Sequence, residues 1–238
     1  MSAVPQNQGS SDVVLIVGAG GGLSASLARR YAREGARVAL AARSTGKLAA
    51  LASETKATLF ECDASDEGQV ARLFEDVDRT FGAPGVVVYN PSYRTRGPFV
   101  DLIPTEVAKT LMVTAFGGFL VGQQAARRML AAGGGAILFT GASASVKGYA
   151  QSAPFAMGKF GLRGLAQSMA RELAPKNIHL AHFVIDGGIR SATRANPPDQ
   201  PDALLDPDAI ADSYFQVARQ PRSAWSWEIE LRPWVEKF

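Results

Sequence analysis

Cysteine is almost absent from this chain: Cys62 is the one thiol in 238 residues. A single cysteine cannot close an internal disulfide, which excludes a disulfide-stapled scaffold and points to a reducing compartment, the cytoplasm. At the end of a strand, Cys62 reads as a small buried hydrophobe. Histidine is equally scarce. His179 and His182 stand three apart on an expected strand and so face opposite ways. With no cysteine or carboxylate cluster beside them, no metal site is expected. No apolar run reaches the ~18 residues of a membrane span. Residues 1–11 are small and polar, without the positive start and apolar run of a targeting segment, and read as a disordered tail before a single domain over 12–238. An excess of one charge is also missing. Lys plus Arg number 25 against 22 for Asp plus Glu, a net +3 scattered along the chain rather than gathered into a basic stripe. Neither a nucleic acid nor a membrane is therefore expected as a partner.

Glycine, by contrast, is plentiful, at 24 residues, or about 10% where roughly 7% is usual. Its placement punctuates an alternation of strands and helices. Apolar runs at 12–17, 37–42, 57–62, 86–89, 136–140 and 178–185 read as strands. Helical spacing appears over 23–34, 45–54, 65–81 (opened by Ser65 and Glu67), 105–130, 153–173 and 206–219, and the 105–130 helix is expected to be long, or broken at Gly117 and Gly118. Short buried strands alternating with helices indicate parallel βαβ units: an α/β fold, a single-domain doubly wound parallel sheet of Rossmann type with helices on both faces. Residues 190–207 carry four prolines and little periodicity, the pattern of a mobile flap beside a site.

The densest glycine cluster, Gly18-Ala19-Gly20-Gly21-Gly22-Leu23-Ser24, lies between the first strand and the first helix. Side chains there would keep a phosphate from the backbone N–H groups at the helix start, where the helix dipole also favours an anion. A tight turn without a ligand would use fewer glycines, so dinucleotide binding is expected, through Gly18, Gly20, Gly22 and Leu23. At the end of the second strand an acidic residue would hold a ribose 2′-hydroxyl. Arg43 and Ser44 stand there instead, and a guanidinium suits a 2′-phosphate, so NADP(H) is preferred over NAD(H).

Together these residues resemble the short-chain dehydrogenase/reductase family, over nearly the whole chain after the tail. Gly18, Gly22 and Ser24 fall on the family's three glycine positions, with Ser24 in place of the third. Cys62-Asp63 is similar to the segment whose aspartate contacts the adenine, with Ala64 following. Tyr89-Asn90-Pro91-Ser92 resembles the family's Asn-Asn-Ala-Gly and keeps Asn90. Gly158-Lys159 ends a Tyr-x-x-x-Lys-like motif. Asp186-Gly187-Gly188-Ile189, with Ser191 beyond, resembles the segment beside the nicotinamide. The resemblance implies cofactor contacts from Asp63, Ala64, Asn90, Lys159, Gly187, Ile189 and Ser191. It also implies a homodimer or homotetramer paired through the helices at 105–130 and 153–173.

The same resemblance implies that a tyrosine four residues before the lysine gives the proton, a serine about thirteen earlier orients the carbonyl, and an asparagine on the fourth helix holds a water. Here those positions are Phe155, Ala142 and Thr114, and only Lys159 is kept. Phenylalanine has no proton to give, and a general acid is typically worth roughly 10²–10⁴-fold in rate. Candidate proton donors are Tyr149, in the segment before the 153–173 helix, and Tyr93, beside Arg94 after the fourth strand; Ser143 and Ser145, near Ala142, are candidates for the serine. Phe99, Phe116 and the flap are expected to shape a small, fairly apolar substrate pocket. Trp225, Trp227 and Trp234 read as core or interface anchors. Two functions follow. One is an NADP(H)-dependent oxidoreductase acting on a small carbonyl, imine or activated alkene, the last two needing no acid from the protein. The other is a dinucleotide-binding homologue without turnover, acting as a sensor, partner subunit or scaffold. Non-redox lyase or isomerase chemistry is a third, lesser possibility.

Overall fold

A computed structural model of the chain describes residues 11–237. The strands and helices alternate in the order β1 (Val13–Val17), α1 (Leu23–Arg33), β2 (Arg37–Ala42), α2 (Ala49–Thr55), β3 (Thr58–Glu61), α3 (Glu67–Phe81), β4 (Val86–Tyr89), α4 (Pro104–Leu111), α5 (Gly117–Ala132), β5 (Gly135–Thr140), α6 (Ala153–Leu173), β6 (Ile178–Ile185), α7 (Pro207–Ala218) and β7 (Glu228–Leu231). The sheet order is β3-β2-β1-β4-β5-β6-β7 and every pairing is parallel. It is the doubly wound α/β sheet expected from the sequence.

The Val- and Ile-rich central strands are buried on both faces, as a sheet covered by helices on each side requires. Alternate residues of each strand feed two separate cores. Leu15, Val87, Ile137 and Leu180 meet Val70, Phe74, Leu120, Val121 and Leu162 of α3, α5 and α6. On the opposite face Ile16, Leu40, Leu138 and Phe183 meet Leu27, Tyr31, Leu51, Ile210 and Tyr214 of α1, α2 and α7. Each fully buried side chain of this size stabilises the fold by about 1.5–3 kcal/mol relative to exposure. Local chemistry sets the helix ends. Asp66 accepts from the Gln69 amide to start α3, Asp206 from the Asp208 amide to start α7, and Gly82 and Gly133 close α3 and α5 with positive φ.

The sheet has one strand more than the sequence indicated. No strand is expected from the sequence beyond 178–185, yet Glu228–Leu231 (β7) pairs in parallel with β6 at the sheet edge. Its alternating Glu-Ile-Glu-Leu is half-buried, too short and too polar to resemble the central strands. Of the two alternatives for 105–130 the long helix is formed: Gly117 and Gly118 are both helical, and α4 runs into α5 through one widened π turn, Met112–Phe116. These glycines allow close approach. A Cβ on Gly117 would lie 2.6 Å from the Ala64 carbonyl, and one on Gly118 would strike Leu162. Tyr89, fully buried on β4, donates its hydroxyl to the Val113 carbonyl within that π turn. The helix expected over 45–54 starts later, after a short 3₁₀ turn at Gly46–Leu48.

Among the described residues no helix is long and apolar enough to cross a membrane, and no group of three or more His, Cys, Asp or Glu is placed to hold a metal ion. Cys62 is buried, and burial pushes its thiol up to about 11. The expected tail lies, except for Ser11, outside the described residues.

Candidate active site

The sheet order reverses between β1 and β4, and ligands of open α/β sheets bind outside the carboxyl ends of the strands at such a point. A cavity of about 400 Å³ opens there. Gly18, Ala42, Arg43, Ser44, Asp63, Ala64 and Asn90 line it, together with Pro91, Tyr93 and Val113. Six sequence-predicted cofactor residues, from four different βα connections, are thus brought together. A larger cavity of about 740 Å³ lies at the opposite, amino edge, among Tyr31, His179, Phe215 and Trp225; none of the predicted site residues lines it. The smaller cavity is the better candidate because the chemistry converges on it.

The glycine loop shows two kinds of glycine. Gly18 has φ +80°, and a Cβ there would lie 2.7 Å from the Pro91 nitrogen, so the fold itself requires glycine. Gly20 and Gly21 are different: neither has a positive φ, and a Cβ at either would meet no protein atom within 4 Å. Nothing in the chain demands glycine at these two positions, whereas a phosphate seated on the start of α1 would. A Cβ on Gly22, the residue before α1, would likewise meet nothing. Ser24, in the place of a third glycine, donates its hydroxyl to the Gly18 carbonyl at 3.1 Å and receives the Asn90 side-chain amide at 2.7 Å. This chain ties the loop after β1 to the end of β4. Leu23, the first residue of α1, is buried under the loop.

Arg43 and Ser44 stand exposed at the end of β2. Across the cavity Asp63 is partly buried, which by itself would raise its pKa. The Ser65 hydroxyl and amide, with the positive field of Arg43 and Lys109, hold it below the usual carboxylate value. An ionised Asp63 is ready to accept from an amino group, and Arg43 to receive an anion. The donor set fits an adenine nucleotide.

The reaction end is built by β5, α6 and the connection between them. Lys159 is buried, with its Nζ donating to the Thr140 carbonyl at 2.7 Å, and burial lowers its pKa to about 8. One turn earlier on α6, Phe155 presents its ring between two cations. Lys159 Nζ lies 5.8 Å and the Arg94 guanidinium carbon 4.7 Å from the ring centroid. Thr114 is buried in the π turn, where Gly158 allows α6 to pack directly against it, and its hydroxyl accepts from the Tyr93 amide at 3.4 Å. Ala142 follows β5, and Ser143 is half-buried in the 3₁₀ turn beyond.

The remaining predicted residues are distributed as follows. Tyr149 is 46% exposed on the loop before α6. Tyr93 donates its hydroxyl to Glu106 at 2.5 Å, with Lys109 Nζ 4.4 Å from its ring, so its proton is directed away from the site. Gly187 and Ile189 follow β6; a Cβ on Gly187 would lie 2.6 Å from Pro233, so the C-terminal segment packs directly over this edge. Ser191 shares a bridge with Arg194 and lies 3.3 Å from the Thr193 hydroxyl. The segment at 190–207 is tied down at Ile189–Leu205 and through the Trp234 indole, which donates to the Pro201 carbonyl. Phe99 is 78% exposed and Phe116 stacks on Phe119 at the surface; neither lines the cavity at the β1–β4 switch. The other tryptophans anchor the C-terminal segment: Trp225 stacks on His179 at 4.7 Å, and Trp227 lies under Arg163.

Two constellations escaped sequence reasoning. Asp186 is buried and ion-paired at 3.0 Å to both Lys147 and Arg232, which clamps the segment after β6 to the loop after β5 and to the C-terminal segment. The second is a hydrogen-bonded Ser145–His182–Glu228 chain. Ser145 Oγ lies 3.3 Å from His182 Nε2, His182 Nδ1 lies 3.0 Å from Glu228, and Glu228 takes both arms of Arg163. Burial lowers His182 to about 4, so the neutral ring donates Nδ1–H to Glu228 and accepts at Nε2 from Ser145, a tautomer assigned from its partners. The order serine, histidine, carboxylate is that of an activated nucleophile, but Ser145 has no exposed surface and its oxygen also accepts the Ala142 amide. The chain is a strut that fixes Ala142. Spacing along the sequence gave no signal for it, because its members come from β7, β6 and the turn after β5.

Comparison with known proteins agrees with this geometry. The family model described as short chain dehydrogenase matches residues 12–201. The chain is 30% identical over 234 residues to a (3R)-3-hydroxyacyl-CoA dehydrogenase of Canis lupus familiaris, covering 88% of this chain and 90% of that one. It is 29% identical over 173 residues to a D-threitol dehydrogenase of Mycolicibacterium smegmatis, where the match covers 71% of this chain and 66% of its relative. Among solved structures, a short-chain dehydrogenase from Rhodopseudomonas palustris is 36% identical, superposes with a TM-score of 0.81 and covers 93% of this chain and 98% of its own. An alcohol dehydrogenase from Thermococcus sibiricus, complexed with 5-hydroxy-NADP, shares the fold at 23% identity, with a TM-score of 0.83 and coverage of 94% and 97%. Sequence match, sheet order and the convergence of glycine loop, Asn90 and Lys159 on one edge agree: this chain belongs to the short-chain dehydrogenase/reductase family.

Proposed function

We propose that this protein is an NADP(H)-dependent oxidoreductase transferring a hydride to or from a small substrate whose reacting carbon needs no proton from residue 155, such as an imine or an activated alkene. The observation that carries this reading is the cavity at the β1–β4 switch, where Gly18, Arg43, Asp63 and Asn90 converge while Gly20 and Gly21 remain glycine without any steric demand from the chain. When bound, NADP(H) supplies or accepts the hydride. The glycine loop and the start of α1 hold its phosphates, Arg43 and Ser44 the 2′-phosphate, Asp63 and Ala64 the adenine edge, and Lys159 the nicotinamide ribose. Gly187, Ile189 and Ser191 border the nicotinamide.

The chain's own groups then limit the chemistry. Carbonyl reduction builds an alkoxide that needs a proton, and neither Phe155 nor Ala142 has one to give. The exposed hydroxyl of Tyr149 and that of Ser143 are the remaining candidates for that role. Addition to an iminium or a polarised alkene avoids the demand, because the proton is either already present or taken from water. Binding without turnover, as a sensor or partner subunit, is the second reading, favoured by the same Phe155 and Ala142. A homodimer or homotetramer in the cytoplasm fits either. The test is to follow NADPH oxidation with a panel of ketones, imines and enones. Turnover of imines or enones above ketones is expected; NADPH binding with no turnover across the panel would favour the second reading.

A further inference from the structure

The rim of the site carries a cation that the cofactor does not use. Arg94, on the loop after β4, holds its guanidinium carbon 4.7 Å from the centroid of the Phe155 ring. The loop is held at both sides of this residue. The Tyr93 amide donates to Thr114 and the Gly97 amide to the Gln151 carbonyl at 3.2 Å, which joins it to the segment leading into α6. Arg94 is thus kept in place over the side chain where the family's proton donor would stand. Partial burial lowers its pKa from the ordinary value, and the like charge of Arg96 lowers it further; no carboxylate acts on it in compensation. Lys159 approaches the same ring to 5.8 Å. Other arginines near the reaction end and the sheet edges carry carboxylate partners, Arg163 with Glu228, Arg190 with Asp206 and Arg128 with Asp78. An exposed guanidinium held on an aromatic face at the rim, beside a second cation and a buried ammonium, is arranged to receive a planar anion. A guanidinium fork matches a carboxylate in two parallel hydrogen bonds, a stronger partner than the ring alone.

We propose that the substrate carries a carboxylate, received by Arg94, with its apolar body lying against Phe155. This assignment rests on the hydride-transfer reading of the same site and narrows it: the fairly apolar substrate is an apolar acid, not a neutral ketone. It also gives residue 155 a use as phenylalanine, because the ring supports both the guanidinium and the substrate, whereas a tyrosine hydroxyl would compete for the fork.

The test uses the full-length protein with benzoate and its neutral near-isostere benzamide, whose affinities are measured by calorimetry with and without NADPH. Wild type is expected to bind benzoate at least about tenfold more tightly than benzamide, the scale of a charged hydrogen-bonded pair. Arg94→Gln should bring the ratio close to one, and Arg94→Lys should keep part of it. A ratio near one in wild type, or a ratio unaltered by Arg94→Gln, overturns the assignment. So does preference for phenyl phosphate over benzoate, which would make the anion a phosphate ester. Thermal unfolding and NADPH binding of Arg94→Gln, both expected to match wild type, exclude misfolding as the cause. Wild type that binds benzoate through Arg94 but does not bind NADPH would sink the redox reading alone, so the two failures are distinguishable.

Discussion

The two ends of one cleft differ in what holds them. At the cofactor end the chain is open and spare: small residues, a cavity of about 400 Å³, and polar groups such as Arg43 and Asp63 turned toward it. At the reaction end the groups are tied to each other. Lys159 is bound to the Thr140 carbonyl, Thr114 is packed on Gly158, Ala142 is fixed by Ser145 and His182, and Asp186 is clamped by Lys147 and Arg232. On the proposed reading, nucleotide binding and proton delivery are separable on this scaffold, since the lysine would serve the first without the tyrosine that serves the second.

The comparison is broken most severely at Gly18. Gly18→Ala is expected to cost at least about 3 kcal/mol, from positive φ and the contact with Pro91, and to abolish nucleotide binding. Gly21→Ala should leave the unfolding midpoint unchanged yet weaken NADPH by about tenfold or more, because that glycine serves a ligand and not the fold. Equal stability losses in the two variants would remove the distinction drawn between them.

The reaction end has its own signature in pH. His182 is lowered from 6.5 to about 4. Between those values the unfolded chain binds a proton that the folded one refuses, so stability is full above pH 6.5 and is lost as pH falls toward 4, by about 3 kcal/mol. Denaturant melts from pH 7 to 4 should show this loss, and His182→Gln should flatten it. Lys159 works in the alkaline range. With a folded pKa of about 8 against 10.5 unfolded, its contribution makes the nucleotide-free protein gain stability between pH 8 and 10.5. Lys159→Met is accordingly expected to raise the midpoint of the nucleotide-free protein at pH 7, by about 1–3 kcal/mol after loss of the Thr140 bond, while weakening NADPH. A lower midpoint would mean that the ammonium is solvated.

The smallest expected effect is a gain. Phe155→Tyr with Ala142→Ser should restore slow ketone reduction if the proton donor and orienting hydroxyl are all that is missing. An unchanged rate in an assay of NADPH oxidation would show that the pocket walls differ as well.

Most of the fold was legible because its signals are local. The Val- and Ile-rich runs of β1, β4 and β6 and the glycine loop could be read within windows of a few residues. β7 was hidden by its edge position, where half of each residue faces outward and polar alternation replaces an apolar run. Gly117 and Gly118 left a long and a broken helix both open for a different reason: their lack of a side chain answers a demand from Ala64 and Leu162, far away in sequence, rather than one of the helix itself. The site divides the same way. Gly18 and Arg43 sit at strand ends and could be found by position, Asp63 and Asn90 through the family resemblance, and His179 and His182 could be assigned to opposite faces. The Ser145–His182–Glu228 strut, the Asp186 clamp and the placing of Arg94 over Phe155 depend on three-dimensional convergence and left no trace in spacing.

The claim that one end of the cleft is intact for a nucleotide is tested most directly by titrating the wild-type protein with NADPH and with NADH, followed by nucleotide fluorescence. NADPH should bind, and about tenfold or more tightly than NADH, with Arg43→Gln erasing the difference. Binding of neither nucleotide would contradict it.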